Sequence, residues 1–337
     1  MTDFQSPLAM TTVTEYTALA FGTAATPSEL LALRQDLQTR LQDALNGLPP
    51  AMHQEALAMV EGYAGPSRAF YGLFYQPVWS FLHWVVAGAT PTIASTALDD
   101  ACTAQALGLF LHLWDDHLCD GQLATTPLSL QVRTDAWAAY TAAARRLAQH
   151  MGVASGWVDE HIATYLGAIH LPETITNVDD FCARFERQIA IWTLVPRLLG
   201  PAIGGAQAGE DLAQVLSAFS NAWRLMDDMQ DVEDDVLAGV ESAVWQVLGA
   251  DGRAAWTETH RQSKALGRLD GASWARLQSH LDAGGCIADL LVRTYAWLDT
   301  AAELAQKNHW CDLAIEILAH RPFELPAVSG SQRSHSP

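Results

Sequence analysis

The sequence predicts an all-α helical bundle with a single core. Three observations carry this: apolar residues recur at helical spacing along most of the chain, strand-like alternation is essentially absent, and Pro-, Gly- or Asx-containing breaks separate the periodic runs. No repeat period of roughly 20–50 residues emerges, so a solenoid is excluded. One large helical domain over 27–326 accommodates the pattern, and with half of the 337 residues hydrophobic it can bury a sizeable core.

Residues 1–26, Thr- and Ala-rich without clear periodicity, read as a flexible tail. Pro27-Ser28-Glu29 opens a helix through Leu30, Leu31, Leu33, Leu37 and Leu41, closed by Gly47 and Pro49-Pro50. A second helix runs over 51–63 and ends at Gly65-Pro66. The next, over 68–87, carries Phe70, Tyr71, Phe74, Tyr75, Trp79, Phe81 and Trp84. Such a helix reads first as buried core, and also as a wall if the core holds a central apolar cavity. Further helices are expected over 94–119, 127–150, 156–169, 177–199, 208–238, 251–264, 272–280, 285–306 and 308–319, and a disordered tail over 327–337.

Two acidic clusters interrupt this apolar pattern. Between Asp227 and Asp235, six of nine side chains are carboxylates: Asp227, Asp228, Asp231, Glu233, Asp234 and Asp235. As a helix, Asp227, Asp231 and Asp235 stack on one face, where like charges repel. A divalent metal is the simplest way to offset that repulsion, and carboxylate oxygens suit a hard cation such as Mg2+, which takes its remaining ligands from water and phosphate. A solvated acidic face is the plainer reading of either run alone. Against it stands the second cluster, Asp115, Asp116 and Asp120, which also emerges directly from an apolar helix (Leu107, Phe110, Leu111, Trp114). The helices over 94–119 and 208–238 face each other if both clusters serve one site.

A net charge of −19, with no patch among the 19 basic residues, argues against nucleic acid. Five scattered cysteines without a CxxC pair read as reduced thiols in a cytoplasmic protein, not as a disulfide framework or zinc site. The N-terminus lacks a signal-peptide pattern, and the most apolar run, Val78–Ala87, is too short to span a bilayer, so no integral membrane segment is expected. Three arginines suit phosphate, which they grip bidentately: Arg184 and Arg187 share a helix face, and Arg224 precedes Asp228 by one turn. Aromatic walls suit a hydrocarbon chain and a carbocation made from it.

Asp115-Asp-His-Leu-Cys-Asp120 paired with Asp227-Asp-Met-Gln-Asp231 resembles the two Asp-rich motifs of the trans-isoprenyl diphosphate synthase and class I terpene synthase superfamily. The resemblance extends over roughly 28–326, including Leu281-Asp-Ala-Gly-Gly285 and Arg321 near the C-terminus. It implies an isoprenoid synthase-type fold and a cluster of three Mg2+ that binds and ionises an allylic isoprenyl diphosphate. Carried over, Asp115, Asp116 and Asp120 are first-motif ligands, with the principal one of Asp115 and Asp116 open. Asp227, Asp231 and Asp235 are second-motif ligands, Asp228 belongs to the same catalytic motif, and Arg184, or else Arg187, senses the diphosphate. Phe74, Trp79, Phe81, Phe110, Trp114 and Trp223 are expected to shape the cavity. A homodimer is compatible with this reading.

The departures bear on the reaction. Chain-elongating members carry an Arg-Arg pair after the first motif, where this chain has Gly121-Gln-Leu-Ala-Thr-Thr-Pro127. Their N-terminal Gly-Gly-Lys-Arg element is reduced to Gly65-Pro-Ser-Arg68, and Trp223-Arg224 replaces their Phe-Gln. One diphosphate site survives, which favours a Mg2+-dependent terpene cyclase that quenches the cation within the same molecule to a hydrocarbon or alcohol. The competing readings are a prenyltransferase (chain elongation or transfer to an unusual acceptor) and a non-catalytic homologue acting as a regulatory subunit.

Overall fold

The computed structural model describes residues 16, 18–65, 69–86, 89, 93–283 and 285–324. Among them the chain forms fifteen α-helices and one two-residue β-ribbon. In order these are α1 (Ser28–Ala44), α2 (Pro50–Tyr63), α3 (Pro77–Trp84), α4 (Ser95–Cys119), α5 (Pro127–His150), α6 (Ser155–His170), α7 (Val178–Gln188), α8 (Ala190–Ile203), α9 (Ala206–Gln230), α10 (Val232–Ala238), α11 (Ala243–Val247), α12 (Ala250–Leu266), α13 (Gly271–Ala283), α14 (Cys286–Lys307) and α15 (Cys311–Ala319). No helix of the described residues is long and apolar enough to cross a membrane.

Two long helices organise the bundle. Helix α9 buries Leu212, Val215, Leu216, Phe219 and Met226 against α8 and α14. Helix α4, buried along most of its length, packs on α5 and α8. Helix α8 thus touches both and fixes the gap between them. Its approach to α9 depends on two glycines: a Cβ on Gly209 would lie 2.8 Å from the Arg197 carbonyl and from the Gly200 Cα, closer than any side chain tolerates. Local signals set the helix starts. Thr126 and Ser129 form a capping box with Pro127 at the first position of α5, and Asn177 caps α7 by accepting from the Asp180 amide.

Three of the departures from expectation are breaks in a predicted helix. The aromatic helix expected over 68–87 is a 3-10 turn (Phe70–Leu73) followed by α3, with Pro77 at the first position of α3, where its missing N–H costs nothing. The run 177–199 breaks at Ile189 and 208–238 at Asp231, each with φ near −100° and ψ near 15°. Asp227, Asp231 and Asp235 therefore do not lie on one continuous helix. The short helix α11 carries no sequence signal strong enough to be expected.

The expected flexible tail through residue 26 does not extend that far. Leu19–Ala20 (β1) pairs antiparallel with Phe323–Glu324 (β2), Leu19 opposite Glu324. Leu19 and Phe21 are buried, and Phe21 stacks on His320 at 5.6 Å. A pairing between the two chain ends leaves no local periodicity for a sequence to display. The tail over 327–337, Pro66, Ser67 and Arg68 of the reduced N-terminal element, and Gly284 lie outside the described residues. Cys102, Cys119, Cys182 and Cys311 are free thiols, and the side chain of Cys286 lies outside the described residues.

Candidate active site

Between α4, α7, α8 and α9 lies a cavity of about 360 Å3, at the small end of the range typical of ligand pockets. Asp116 and Asp120 line it from α4, Arg184 from α7, and Trp223 and Arg224 from α9. Its apolar wall is Phe74, Tyr75, Phe181, Phe185, Trp192 and Phe219. Ser220 and His112 line it as well. The expectation of a central aromatic cavity is met, with acids and arginines converging on it.

Asp115 and Asp116, adjacent in sequence, serve different environments. Asp115 is 1% exposed and points away from the cavity, accepting from Arg133 through both oxygens (2.5 and 3.0 Å), from Trp137 Nε1 at 3.3 Å and from the Tyr165 hydroxyl at 3.4 Å. With its oxygens thus engaged it is a poor metal ligand in this arrangement. Asp116 faces the cavity instead. The basic residue absent just after the first motif thus reappears as Arg133, holding Asp115 rather than a phosphate.

The second cluster divides as well. Asp228, 2% exposed, pairs with Arg224 Nε at 3.1 Å and accepts the Ala243 amide of α11 at 2.6 Å. It positions Arg224 and docks α11, and it does not face the cavity. Asp227 does not line the cavity; burial, then the charges of Asp228 and Asp116, push its carboxyl up to about 6. Burial and Asp227 push Asp231 up to about 6, and burial and Asp228 push Asp235 up to about 7. The charge of Asp116 acts on Asp227, so the two motifs lie near each other despite their repulsion. Asp231 and Asp235 do not line the cavity themselves.

Of the two candidate sensing arginines, Arg184 lines the cavity, and its Nε is buried without a hydrogen-bond partner. Arg187 turns outward to Glu173, at 2.5 and 2.6 Å. Arg224 also lies over the Phe181 and Phe185 rings, at 5.8 and 5.9 Å. Among the expected cavity aromatics, Phe74 and Trp223 line the space. Trp79, Phe81, Phe110 and Trp114 are fully buried in the core, where Phe110 and Trp114 pack at 4.9 Å. Phe181, Phe185, Trp192 and Phe219 take their place. Only Phe181 carried a local signal, three residues before Arg184 on α7; Phe185 is adjacent to Arg184, Phe219 is five residues before Arg224, and Trp192 lies on α8, so helical spacing did not mark them. Arg321 pairs with Asp299 and lies over Tyr295, away from the cavity.

Among the described residues no three acidic, His or Cys side chains form a ready-made cage for a metal ion. The donor set nevertheless fits Mg2+, which completes its shell with water and phosphate oxygens. In it Asp227, Asp231 and Asp235 are desolvated carboxylates with raised proton affinity, and Asp235 Oδ2 is buried without a hydrogen-bond partner.

A pH dependence follows. These carboxyls bind protons more tightly folded than unfolded, so the stability they contribute is complete below the ordinary value of 3.8 and is lost as pH rises through about 6 to 7. Without divalent cations, thermal unfolding should occur at lower temperature at pH 8 than at pH 5, and Mg2+ should restore stability at pH 8. Asp235→Asn should flatten that fall, and a wild-type profile insensitive to both pH and Mg2+ would show that the cluster is hydrated.

The fold is shared with solved isoprenoid enzymes. The geranylgeranyl pyrophosphate synthase of Lactobacillus brevis superposes with a TM-score of 0.61 at 14% identity, covering 87% of this chain and 96% of that one. The polyprenyl synthase of Caulobacter crescentus, complexed with calcium and isoprenyl diphosphate, gives 0.58 at 13% identity, covering 94% and 100%. At these identities the likeness shows the fold, the all-α isoprenoid synthase architecture expected from the two motifs. No protein-family profile matches the chain, and no curated protein does.

Proposed function

We propose that this chain is a divalent-metal-dependent enzyme that ionises an allylic isoprenyl diphosphate and transfers the prenyl group to an acceptor in the same cavity. The observation that carries the reading is the convergence of Asp116, Asp120, Arg184 and Arg224 on an aromatic-walled cavity, with Asp227 near enough to feel the charge of Asp116. Asp116 and Asp120 on one side, and Asp227, Asp231 and Asp235 on the other, would hold Mg2+. Bound there, the metal neutralises the diphosphate and makes it a better leaving group. Arg184 and Arg224 grip the same group bidentately. The aromatic wall excludes water and stabilises positive charge on the prenyl chain by cation–π attraction.

Transfer is placed ahead of cyclisation because both compared enzymes are, by name, synthases that build prenyl chains. Cyclisation to a terpene, the first reading of the sequence, is retained as second on one observation. Among the described residues the cavity-lining cations are Arg184 and Arg224, enough for one diphosphate.

The test is incubation with Mg2+ and geranyl, farnesyl or geranylgeranyl diphosphate, with and without isopentenyl diphosphate, reading diphosphate release and products by mass spectrometry. A longer diphosphate means elongation, and a cyclic product means cyclisation. No diphosphate release from any of the three would sink the proposal. Arg184→Ala should lower kcat/KM by about a hundredfold, the scale of losing one oriented donor. Arg187→Ala, which removes only an exposed ion pair, should stay within about threefold.

A further inference from the structure

The cavity contains a polar patch that an allylic diphosphate does not use. His112, 8% exposed, donates from Nδ1 to the Gln188 carbonyl at 3.0 Å. That carbonyl is available because the chain breaks at Ile189, and the Trp192 amide turns to Ile189 instead, at 2.8 Å. With its proton on Nδ1, the neutral ring keeps a lone pair on Nε2, and Nε2 has no hydrogen bond among the described residues. Trp192 packs edge-on against the ring at 4.7 Å and holds its orientation. Burial disfavours the imidazolium; the charged groups that act on it are Asp116, Arg224 and Asp115, with the Tyr165 ring alongside. From α9, Ser220 lines the same cavity; it is 1% exposed, and its Oγ is buried without a partner. A second anionic substrate is disfavoured here, since Asp116, Asp120 and Glu241 line the cavity and the donor diphosphate engages both arginines.

We propose that His112 and Ser220 seat the acceptor, an uncharged phenol whose ring lies against the aromatic wall and whose hydroxyl donates to His112 Nε2 and accepts from Ser220 Oγ. This rests on the reading of the donor site given above. Heterolysis of the allylic C–O bond sends its electron pair out with the diphosphate. A lone pair of the phenol oxygen forms the new C–O bond to the allylic carbon, and the hydroxyl proton moves to Nε2. The products are an aryl prenyl ether, diphosphate and an imidazolium that returns its proton to water, and no oxidant or reductant is needed.

The experiment supplies each of the three allylic diphosphates, Mg2+ and 4-methylphenol, and follows both diphosphate release and ether formation. Wild type should form the ether. His112→Gln, which can still hydrogen-bond but cannot act as the base, should lower kcat for ether formation by about a hundredfold or more with a small change in the KM for phenol. Ser220→Ala should instead raise that KM by about tenfold. Thermal melting checks that both variants fold; if His112→Gln does not, the KM of Ser220→Ala decides, and an unchanged value overturns the proposal. Diphosphate release without ether, or ether formation undiminished in His112→Gln, overturns this inference alone. No diphosphate release at all overturns the donor site and this inference with it.

Discussion

Asp116→Ala should lower the rate of diphosphate release by roughly a thousandfold, whereas Asp115→Ala should act chiefly on stability. The two residues differ in what their oxygens face. Asp116 opens onto the cavity, close enough to Asp227 for their charges to interact. Asp116 would help hold a divalent metal, which would stabilise the leaving diphosphate by several kcal/mol, and about 4 kcal/mol corresponds to three orders of magnitude in rate. Asp115 is occupied by Arg133, Trp137 and Tyr165. Its loss leaves Arg133 partly buried without a partner, a destabilisation of about 2–3 kcal/mol, below the full cost of breaking a buried pair because Arg133 is 29% exposed. Parallel melting curves and diphosphate-release assays on the two variants separate these effects. Equal losses of activity at unchanged stability would return Asp115 to the metal site.

This split marks the limit of what the sequence made legible. The acidic runs and the apolar helices behind them announced both a bundle and a site, because clustered carboxylates on apolar helices have few other uses. Helix ends were also legible, since Pro127, Asn177 and the positive-φ Gly267 act through local geometry. Which of two neighbours faces the cavity was not. Consecutive helical residues differ by about 100° in direction, and the phase of α4 is set by Arg133 and Tyr165 on other helices. The same holds for the aromatics: Trp79 and Phe81 sit in the core on α3, which starts afresh at Pro77 after the 3-10 turn, so whether they share a face with Phe74 cannot be read from spacing. Arg184 and Arg187, on one face by spacing, separate because Glu173 draws Arg187 outward.

Asp228 supplies the second large effect, a loss of stability from within a catalytic-looking motif. Its two oxygens are both engaged, one by Arg224 and one by the Ala243 amide. Asp228→Ala would leave Arg224 with Asp227 at 3.9 Å as its remaining ion pair among the described residues and the first amide of α11 without its acceptor. Breaking a buried pair costs about 3–5 kcal/mol. The lower figure applies because Arg224 stays 30% open to the cavity, and for a chain of this length it corresponds to a fall in Tm of about 4 °C. Asp228→Asn keeps a carbonyl oxygen for Ala243 but removes the charge, so roughly half of that fall is expected. The sign distinguishes this from a metal-binding role. A ligand position would lose activity with Tm preserved, whereas a positioning residue loses Tm first, and activity through a rise in KM as Arg224 swings free. Combining Asp228→Asn with Arg224→Gln should then recover part of the stability, because the uncompensated charge is gone. Additive losses in that double variant would mean that Asp228 and Arg224 act separately.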